Sequence, residues 1–334
     1  MKARIGILGA GGWGTALSLL LVRNGHDVGL WESQPGYAEI LSRTRLNPDF
    51  LPGVAIPDEV RITSDLDSAI AGKDFLVVAL PSHIVRSVAG RIPADRIGDA
   101  IVVSASKGIE NDSLLRMSQV LAAAIEGLPA DRIVALSGPS HAEEVSRGMP
   151  TVVVAASSHA ESALKVQDIF RSPVFRVYTS SDMVGVELGG SFKNIIAIAA
   201  GISDGVGFGD NTKAAIMIRG IVEMTRLGVA MGASPQTFAG LSGMGDLIVT
   251  CTSRHSRNRY VGEQVGAGKS IDEVLRGMKM VAEGVRTTRS AMDLSRRHGV
   301  VMPITTEVFE ILFNGKNPKK AVTDLMTRDP KAEG

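Results

Sequence analysis

A glycine-rich turn near the start of the chain has the residues needed to bind a phosphate group through the backbone. The turn, Gly9-Ala10-Gly11-Gly12-Trp13-Gly14, lies between the apolar runs 4–8 and 15–22, and this context predicts a strand, a tight turn and a helix. Gly9 permits the turn, Gly11 lets a pyrophosphate approach the backbone, and Gly14 lets helix and strand pack closely. The N–H groups and dipole of the helix N-terminus then face the anion.

An acidic residue at the end of the next predicted strand supports the same interpretation. Residues 26–31 form this strand and Glu32 follows it, close to the offset of about 20 residues at which a carboxylate holds the adenosine ribose of a dinucleotide. Because both features lie in one unit of about 30 residues, the pattern favours a dinucleotide-binding site over an ordinary glycine turn.

A predicted helix over residues 187–201 carries one lysine, Lys193, among small residues. Small side chains on the same helical face leave room for a ligand to dock against its ammonium group. The alternative is a close helix–helix contact, with the lysine reaching past it to water. The small residues that share this face are Gly189, Gly190, Ala197, Ala200 and Gly201.

A second candidate site combines Ser256, Arg257 and Asn258 with Asp246 earlier in the chain. Ser256 is a helix-capping residue type, and the N–H groups of the first turn together with Arg257 and Asn258 suit a phosphate. The alternative is a solvated basic turn. Asp246, in the glycine-rich segment 242–246, is either part of this site or simply a cap or turn residue.

The composition is that of a globular protein without a strong charge excess. Of the 334 residues, 44% are hydrophobic and 21% are charged, and the formal net charge is +1. The length predicts two domains, and the charge balance argues against nucleic acid or an anionic membrane as the main partner. The six histidines lack the spacing of metal ligands, so we expect no metal.

The single cysteine, Cys251, excludes disulfides within the chain and favours a reducing compartment. The N-terminus enters a strand without the basic and apolar segments of a secretory signal. Apolar runs are shorter than the roughly 20 residues that cross a bilayer. We therefore expect a cytoplasmic protein without membrane insertion.

The elements that must position these residues alternate between strands and helices in the first half of the chain. Short apolar runs end in polar or glycine-bearing segments, and residues 34–57 form a long, polar, proline-bearing connection. Such alternation predicts a parallel, doubly wound sheet that binds ligands beyond the carboxyl ends of its strands. Further predicted strands cover 75–80, 100–104, 133–136 and 151–155.

Beyond about residue 183 only helical periodicity is clear. We therefore predict an α/β protein in which a Rossmann-type, mainly parallel sheet forms a dinucleotide-binding domain, residues 1–182. The helical remainder, residues 183–334, is predicted to be an all-α substrate and catalytic domain.

Taken together and in order, the motifs closely resemble the bacterial NAD(P)-dependent glycerol-3-phosphate dehydrogenases. The resemblance extends from the first strand to about residue 305. The motifs that carry it are Gly9 to Thr15, Phe50-Leu51-Pro52, Ser106-Lys107-Gly108, Ser137-Gly138-Pro139-Ser140, Leu188 to Asn194, Gly243-Met244-Gly245-Asp246 and Ser256-Arg257-Asn258.

This resemblance implies reversible reduction of dihydroxyacetone phosphate to sn-glycerol 3-phosphate, which supplies glycerophospholipid synthesis, and it implies a homodimer. Lys193 is then the proton donor and acceptor. The implied substrate contacts are Lys107, Gly138, Ser140, Lys193, Asp246, Ser256, Arg257 and Asn258. The cofactor contacts expected from the glycine turn, the second strand and the resemblance are Gly9, Gly11, Gly12, Trp13, Gly14, Glu32, Ser33, Phe50, Lys107, Ala142, Arg257, Val281 and Glu283.

One departure from the family pattern bears on the cofactor. Family members often have a small residue followed by a basic one where this chain has Glu32 and Ser33. A carboxylate accepts hydrogen bonds from a free ribose but repels a 2′-phosphate. We therefore expect NAD(H) to be favoured, with Arg43 or Arg45 as the residues that would permit NADP(H).

Two other functions fit part of the pattern. A hydroxyacid dehydrogenase acting on a substrate without phosphate shares the two-domain plan and a helix lysine followed by asparagine, but it leaves Ser256-Arg257-Asn258 unexplained. A dinucleotide sensor without turnover would have no use for Lys193 on an accessible face.

Overall fold

In the part of the chain that the structure describes, ten strands form, all within residues 4–180. In the computed structural model, which describes residues 2–330 and 332, eight of them build one sheet and two form a separate hairpin. The strands are β1 Arg4–Leu8, β2 Asp27–Trp31, β3 Leu46–Asn47, β4 Leu51–Ala55, β5 Arg61–Thr63, β6 Phe75–Val78, β7 Ile101–Ser104, β8 Ile133–Ser137, β9 Thr151–Ala156 and β10 Phe175–Ser180.

The large sheet has the order β10-β9-β8-β7-β6-β1-β2-β5. Its pairs are parallel except for β8 with β9, which run antiparallel. In the register of the central strands, Leu8 at the end of β1 pairs with Trp31 of β2 and Val78 of β6. The carboxyl ends of these strands therefore meet at one edge, which confirms the predicted doubly wound, mainly parallel sheet.

Helices cover both faces of this sheet, and each face buries its own apolar cluster. Buried strands with apolar side chains on both faces are what such coverage requires. The helices of this half are α1 Gly12–Arg23, α2 Pro35–Thr44, α3 Leu66–Ile70, α4 Val85–Ala89, α5 Ala94–Ile97, α6 Met117–Ala124, α7 Ala142–Ser146 and α8 Ala160–Phe170.

The prediction of a long connection over residues 34–57 is wrong. The segment holds α2 and the antiparallel hairpin of β3 and β4. Its polar composition concealed these elements because α2 buries only Ala38 and Leu41. Elements that lie on the surface with a narrow apolar stripe give a weak periodic signal.

The described residues after β10 are helical and share a third, large apolar cluster. The division at residues 182 and 183 remains a prediction, although a helix does begin at Met183. The helices are α9 Met183–Val206, α10 Asp210–Ala230, α11 Pro235–Ala239, α12 Asp246–Thr252, α13 Arg257–Gly266, α14 Ile271–Arg276, α15 Glu283–His298, α16 Pro303–Asn314 and α17 Pro318–Met326.

The long helix α9 is the centre of the helical half. Its N-cap, Asp182, accepts a hydrogen bond from Gly185 N at 2.8 Å, and Gly207 ends it in the left-handed conformation with φ of 88°. The helix is long and apolar enough to cross a membrane, but 89% of its most apolar window is buried inside the protein. It is therefore the core helix of a globular domain, around which the other helices pack.

Helices α9 and α13 pack with their backbones in contact. A Cβ atom on Gly201 of α9 would lie 2.0 Å from Arg259 O, and one on Gly262 of α13 would lie 2.0 Å from Ile198 O. Any larger residue at either position must push the helices apart. The spacing between the two helices is thus set by glycine.

Replacing Gly201 by alanine should therefore destabilise the protein. Overpacking of this kind costs about 1–3 kcal/mol, which calorimetry or urea unfolding will detect. The matched control is Gly36→Ala in α2, where nothing lies within 4 Å of the added Cβ atom. Equal stability of the two variants would contradict the close backbone contact.

Candidate active site

A cleft of about 460 Å³ lies between the carboxyl edge of the sheet and the helical half. Both halves of the chain contribute to its lining, which includes most of the residues predicted from the sequence. Gly14, Gly138 and Asp246 are not part of the lining. The predicted residues that line the cleft are Gly9, Gly11, Gly12, Trp13, Glu32, Ser33, Phe50, Lys107, Ser140, Ala142, Lys193, Ser256, Arg257, Asn258, Val281 and Glu283.

The glycine turn has the geometry of a dinucleotide cradle. Gly9 has φ of +111°, a conformation that other residues rarely adopt, and a Cβ on Gly14 would lie 1.9 Å from Gly9 O. A Cβ on Gly12 would lie 2.5 Å from Phe50 O, whereas one on Gly11 would meet nothing within 4 Å. The turn therefore packs tightly on the protein side and is open at Gly11, where α1 begins. These residues fit a bound pyrophosphate.

A buried amide that the sequence analysis missed fixes this turn. Asn47 is fully buried, and its Nδ2 donates to Ala10 O and to Thr15 Oγ1, both at 2.8 Å. Its Oδ1 accepts from Phe50 N at 3.2 Å. Asn47 thus joins the β3–β4 hairpin to the turn. The signal was only an asparagine before a proline, which is typical of ordinary turns.

At the far end of the groove, Glu32 is held by the backbone that follows it. Its Oε1 accepts from Gln34 N at 2.9 Å and from Ser33 Oγ at 3.3 Å. Arg45 is occupied elsewhere, because its Nη1 donates to Val60 O at 2.8 Å. Neither Arg45 nor Arg43 lines the cleft.

On the opposite side, two lysines share one buried carboxylate. Lys193 Nζ donates to Asp246 Oδ1 at 2.5 Å and to Thr250 Oγ1 at 2.7 Å. Lys107 Nζ donates to Asp246 Oδ2 at 2.7 Å and to Gly138 O at 3.0 Å. Each carboxylate oxygen of Asp246 thus binds one ammonium group, and one lysine comes from each half of the chain.

This arrangement sets the protonation of both partners. Burial, aided by the charge of Lys107, lowers the pKa of Lys193 to about 8, although the carboxylate of Asp246 opposes the shift. Burial alone would raise the pKa of Asp246, but the two ammonium groups outweigh it and hold the value below normal. The site therefore keeps a carboxylate next to a lysine that exchanges its proton near neutral pH.

The prediction of an open helical face around Lys193 is wrong. A Cβ on Gly189 would lie 2.6 Å from Ser242 O, and one on Gly190 would lie 2.5 Å from Ser137 Oγ. The small residues of α9 therefore let other parts of the protein approach, and the α9 residues that line the cleft are Lys193 and Asn194. Asp246 lies behind the lysines with 1% of its surface exposed.

The start of α13 forms the other polar wall of the cleft. Ser256 caps the helix, since its Oγ accepts from Arg259 N at 3.2 Å. The N–H groups of a first helical turn have no intrahelical partners. The guanidinium of Arg257 makes no hydrogen bond or ion pair with the residues that the structure describes. It lines the cleft and is free to bind an anion.

Several lining residues were not found from the sequence. Thr250 lies four residues after Asp246 on α12. This spacing places both side chains on one helical face, and it could have been recognised in the sequence. Asn194, His141 and His255 also line the cleft, and the two imidazole rings lie 6.0 Å apart. Only the fold brings these residues together.

Glu283 and Asn258 have protein partners of their own. Glu283 Oε1 accepts from Ser82 N at 2.9 Å, which joins α15 to the loop after β6. Asn258 Nδ2 donates to Asn194 Oδ1 at 2.9 Å, and its Oδ1 accepts from Gly284 N at 2.9 Å. Both residues therefore hold the walls of the cleft in place.

A doubly wound sheet with an open glycine turn, facing a buried lysine on an all-helical half, defines the class of two-domain nicotinamide-dinucleotide dehydrogenases. Comparison with models of known families narrows this class to one family. The NAD-dependent glycerol-3-phosphate dehydrogenase N-terminus matches residues 4–163, and the C-terminus of the same family matches residues 182–323. The chain belongs to the NAD-dependent glycerol-3-phosphate dehydrogenase family.

Proteins of similar sequence match this chain over nearly its whole length. The glycerol-3-phosphate dehydrogenase (NAD(P)+) of Chlorobium limicola is 52% identical over 98% of this chain and 99% of its own. Enzyme 1 of that name from Salinibacter ruber is 54% identical over 98% of this chain and 96% of its own. The crystal structure of glycerol-3-phosphate dehydrogenase from Coxiella burnetii superposes with a TM-score of 0.93 at 36% identity, over 98% of this chain and 99% of that chain.

Removal of the shared carboxylate should leave two buried cations unpaired. Asp246→Asn is expected to lower the free energy of unfolding by about 3–5 kcal/mol at pH 7. The carboxylate stabilises Lys193 only in its protonated form, which the wild-type protein reaches as pH falls through about 8, so the deficit should be smaller at pH 9 than at pH 7. Urea unfolding at both values measures it.

The control for this variant is Asp168→Asn. Its ion pair with Arg171 is exposed, with side-chain exposures of 61% and 71%, so the loss should be below about 1 kcal/mol. A pH-independent or equally small loss in Asp246→Asn would contradict the buried charge cluster.

Proposed function

We propose that this chain reduces dihydroxyacetone phosphate to sn-glycerol 3-phosphate with a nicotinamide dinucleotide, reversibly, and so supplies glycerophospholipid synthesis. The observation that carries the proposal is the ammonium of Lys193, which reaches a cleft with a dinucleotide cradle on one side and an unpaired arginine on the other. The activity in the names of the similar proteins, together with the shared family, supports the reaction.

Lys193 is the proposed proton donor and acceptor. When bound, the reduced nicotinamide supplies the hydride that the ketone carbon accepts. Negative charge then develops on the ketone oxygen, and the ammonium of Lys193 both stabilises this charge and delivers the proton that makes the hydroxyl group. Oxidation of the alcohol reverses these steps, with neutral Lys193 accepting the proton.

The groups behind Lys193 are proposed to fix its orientation and its protonation state. Asp246 and Thr250 accept two of its three N–H bonds, which leaves one for the substrate. Lys107 is the proposed second cation at the substrate, and its charge adds to the effect of burial, which lowers the pKa of Lys193. Gly138 and Ser140, in the loop after β8, are proposed to contact the substrate.

Arg257 and the start of α13 are the proposed phosphate site. The free guanidinium binds phosphate in a bidentate manner, and the first-turn N–H groups together with Ser256 and Asn258 complete the site. A fixed phosphate holds the ketone near Lys193, and such positioning contributes strongly to rate. This also distinguishes the proposal from a hydroxyacid dehydrogenase, whose substrate has no phosphate.

The proposed cofactor residues follow the groove from Glu32 to the lysines. Gly9, Gly11, Gly12 and Trp13 hold the pyrophosphate, and Gly14 supports the turn. Ser33, Phe50, Ala142, Val281 and Glu283 complete the walls of this groove.

We also propose that the protein is cytoplasmic and homodimeric. A buried thiol as the only cysteine, Cys251, supports a reducing compartment. Exposed apolar side chains on α10, Ile218 at 50% and Val229 at 46%, support a subunit contact.

The rate of reduction should depend on protonated Lys193. Because the pKa of Lys193 is about 8, kcat/KM for dihydroxyacetone phosphate should fall as pH rises through about 8, while glycerol 3-phosphate oxidation rises over the same range. Lys193→Ala should lose roughly 10²–10⁴-fold in kcat at every pH. Initial rates, followed by the change in cofactor absorbance between pH 6 and 9.5, measure the pH profiles of both reaction directions and the loss in the alanine variant. Flat profiles with the intact enzyme, or an active alanine variant, would contradict this role.

NAD(H) should be the preferred cofactor. The carboxylate of Glu32 accepts hydrogen bonds from a ribose but repels a 2′-phosphate, so kcat/KM for NADH should exceed that for NADPH by roughly tenfold or more. Glu32→Ser should narrow the gap by improving NADPH use. Arg43→Ala is the control and should leave the ratio unchanged, since Arg43 lies outside the cleft. Comparable efficiency with both reduced cofactors would refute the preference.

A further inference from the structure

In the first turn of α13, the side chains of Asn258 and Arg259 are hydrogen-bonded to other helices, whereas that of Arg257 has no such bond to a described residue. The amide of Asn258 is held by Asn194 and Gly284. The guanidinium of Arg259 is held by Asp204, which lies near the end of α9. Arg257, between cap and amide, is bound by nothing that the structure describes. The first turn of α13, which carries Arg257, is therefore held in place by the contacts of its neighbours.

Asp204 is the centre of a partly buried charge cluster that joins three helices. Its Oδ2 accepts a hydrogen bond from Arg259 Nε at 2.8 Å and lies 2.8 Å from Arg259 Nη2 in the same ion pair. Its Oδ1 pairs with Lys213 Nζ of α10 at 2.6 Å. The side chain of Asp204 is 13% exposed, and those of Lys213 and Arg259 are 19% and 20% exposed. Both carboxylate oxygens are occupied, so the cluster is well ordered.

We propose that Asp204 is a positioning residue for the phosphate of the substrate. It acts through Arg259, which it binds from α9, and thereby fixes the rotation and axial position of the first turn of α13. Arg257 and the free N–H groups of that turn are then aimed at the phosphate. This inference rests on the proposed function, because it needs a phosphorylated substrate in the cleft.

The contacts between α9 and α13 show what the ion pair adds. The glycine contacts at Gly201 and Gly262 set the distance between the helices. Two polar links, Asn258 to Asn194 and Arg259 to Asp204, oppose sliding or turning of one helix on the other. Lys193 lies on α9 and Arg257 on α13, so the Asp204–Arg259 pair helps to fix the distance between the proposed proton donor and the proposed phosphate site.

The consequence is selective for one part of the substrate. A displaced Arg257 weakens binding of the phosphate, while Lys193, Asp246 and the glycine turn keep their own contacts. Small misplacements of a binding group are known to cost large factors in catalysis. Asp204 should therefore affect the phosphorylated substrate and leave an unphosphorylated one unchanged.

The test compares Asp204→Asn with the wild-type enzyme on two substrates. We expect KM for dihydroxyacetone phosphate to rise by roughly tenfold or more. KM for NADH, and kcat/KM for unphosphorylated dihydroxyacetone, should stay within about twofold. An unchanged KM for the phosphorylated substrate, or an equal loss on both substrates, would overturn the proposal, since the second result indicates a general structural role.

Two further variants complete the design. Glu263→Gln is the matched control, because Glu263 approaches Arg259 at only 3.6 Å and is 40% exposed, and it should behave like wild type. If Asp204→Asn does not fold, Arg259→Lys keeps the charge but loses the paired N–H donors. It should raise KM for dihydroxyacetone phosphate without changing the rate with dihydroxyacetone, and failure to do so would overturn the proposal.

Arg257→Ala separates this inference from the proposed function. It removes the phosphate ligand itself, so KM for dihydroxyacetone phosphate should rise at least as much as in Asp204→Asn. If Arg257→Ala has no effect, the proposed phosphate site fails. If Arg257→Ala raises KM but Asp204→Asn does not, only the positioning role of Asp204 fails.

Discussion

The site depends on one buried carboxylate that two ammonium groups share. A lone lysine in the interior would lose its proton, and a lone carboxylate would gain one. Asp246 lies between Lys107 and Lys193 and resolves both problems, since each ammonium group binds one of its oxygens. With both lysines protonated, the cluster has a net positive charge, next to the proposed position of the ketone oxygen that becomes negative. The chemistry of the cleft follows from this balance.

The helix that carries Lys193 also connects the other parts of the site. Helix α9 packs against α13 through backbone contacts at glycine, and α13 begins with the proposed phosphate site. Asn258 ties the same two helices to α15, whose first residue, Glu283, reaches Ser82 beyond the end of β6. The proposed proton donor, the proposed phosphate site and the sheet edge are thus held at fixed separations. A site made of groups from two halves of a chain needs such rigid connections.

The sequence predicted the central strands, because buried parallel strands are continuous apolar runs, and it predicted the glycine turn. It did not predict the edge strands β5 and β10, whose side chains are largely half-buried or exposed. The partnership of Lys107 with Asp246 joins residues 139 positions apart and leaves no local pattern. The small residues of α9 were expected to face a ligand, but glycine serves equally for close packing. Residue types could be predicted from sequence, whereas the sharing of one carboxylate, Asp246, by Lys107 and Lys193 is visible only in the fold.

In the proposed mechanism, the ammonium of Lys193 meets the ketone oxygen while Arg257 holds the phosphate. The most direct test is a crystal structure of the intact enzyme with dihydroxyacetone phosphate and an oxidised or non-reactive cofactor. Lys193 Nζ should lie within hydrogen-bonding distance of the ketone oxygen, about 3 Å, with Asp246 still on its other side. A substrate phosphate bound away from Arg257, or Lys193 turned out of the cleft, would contradict it.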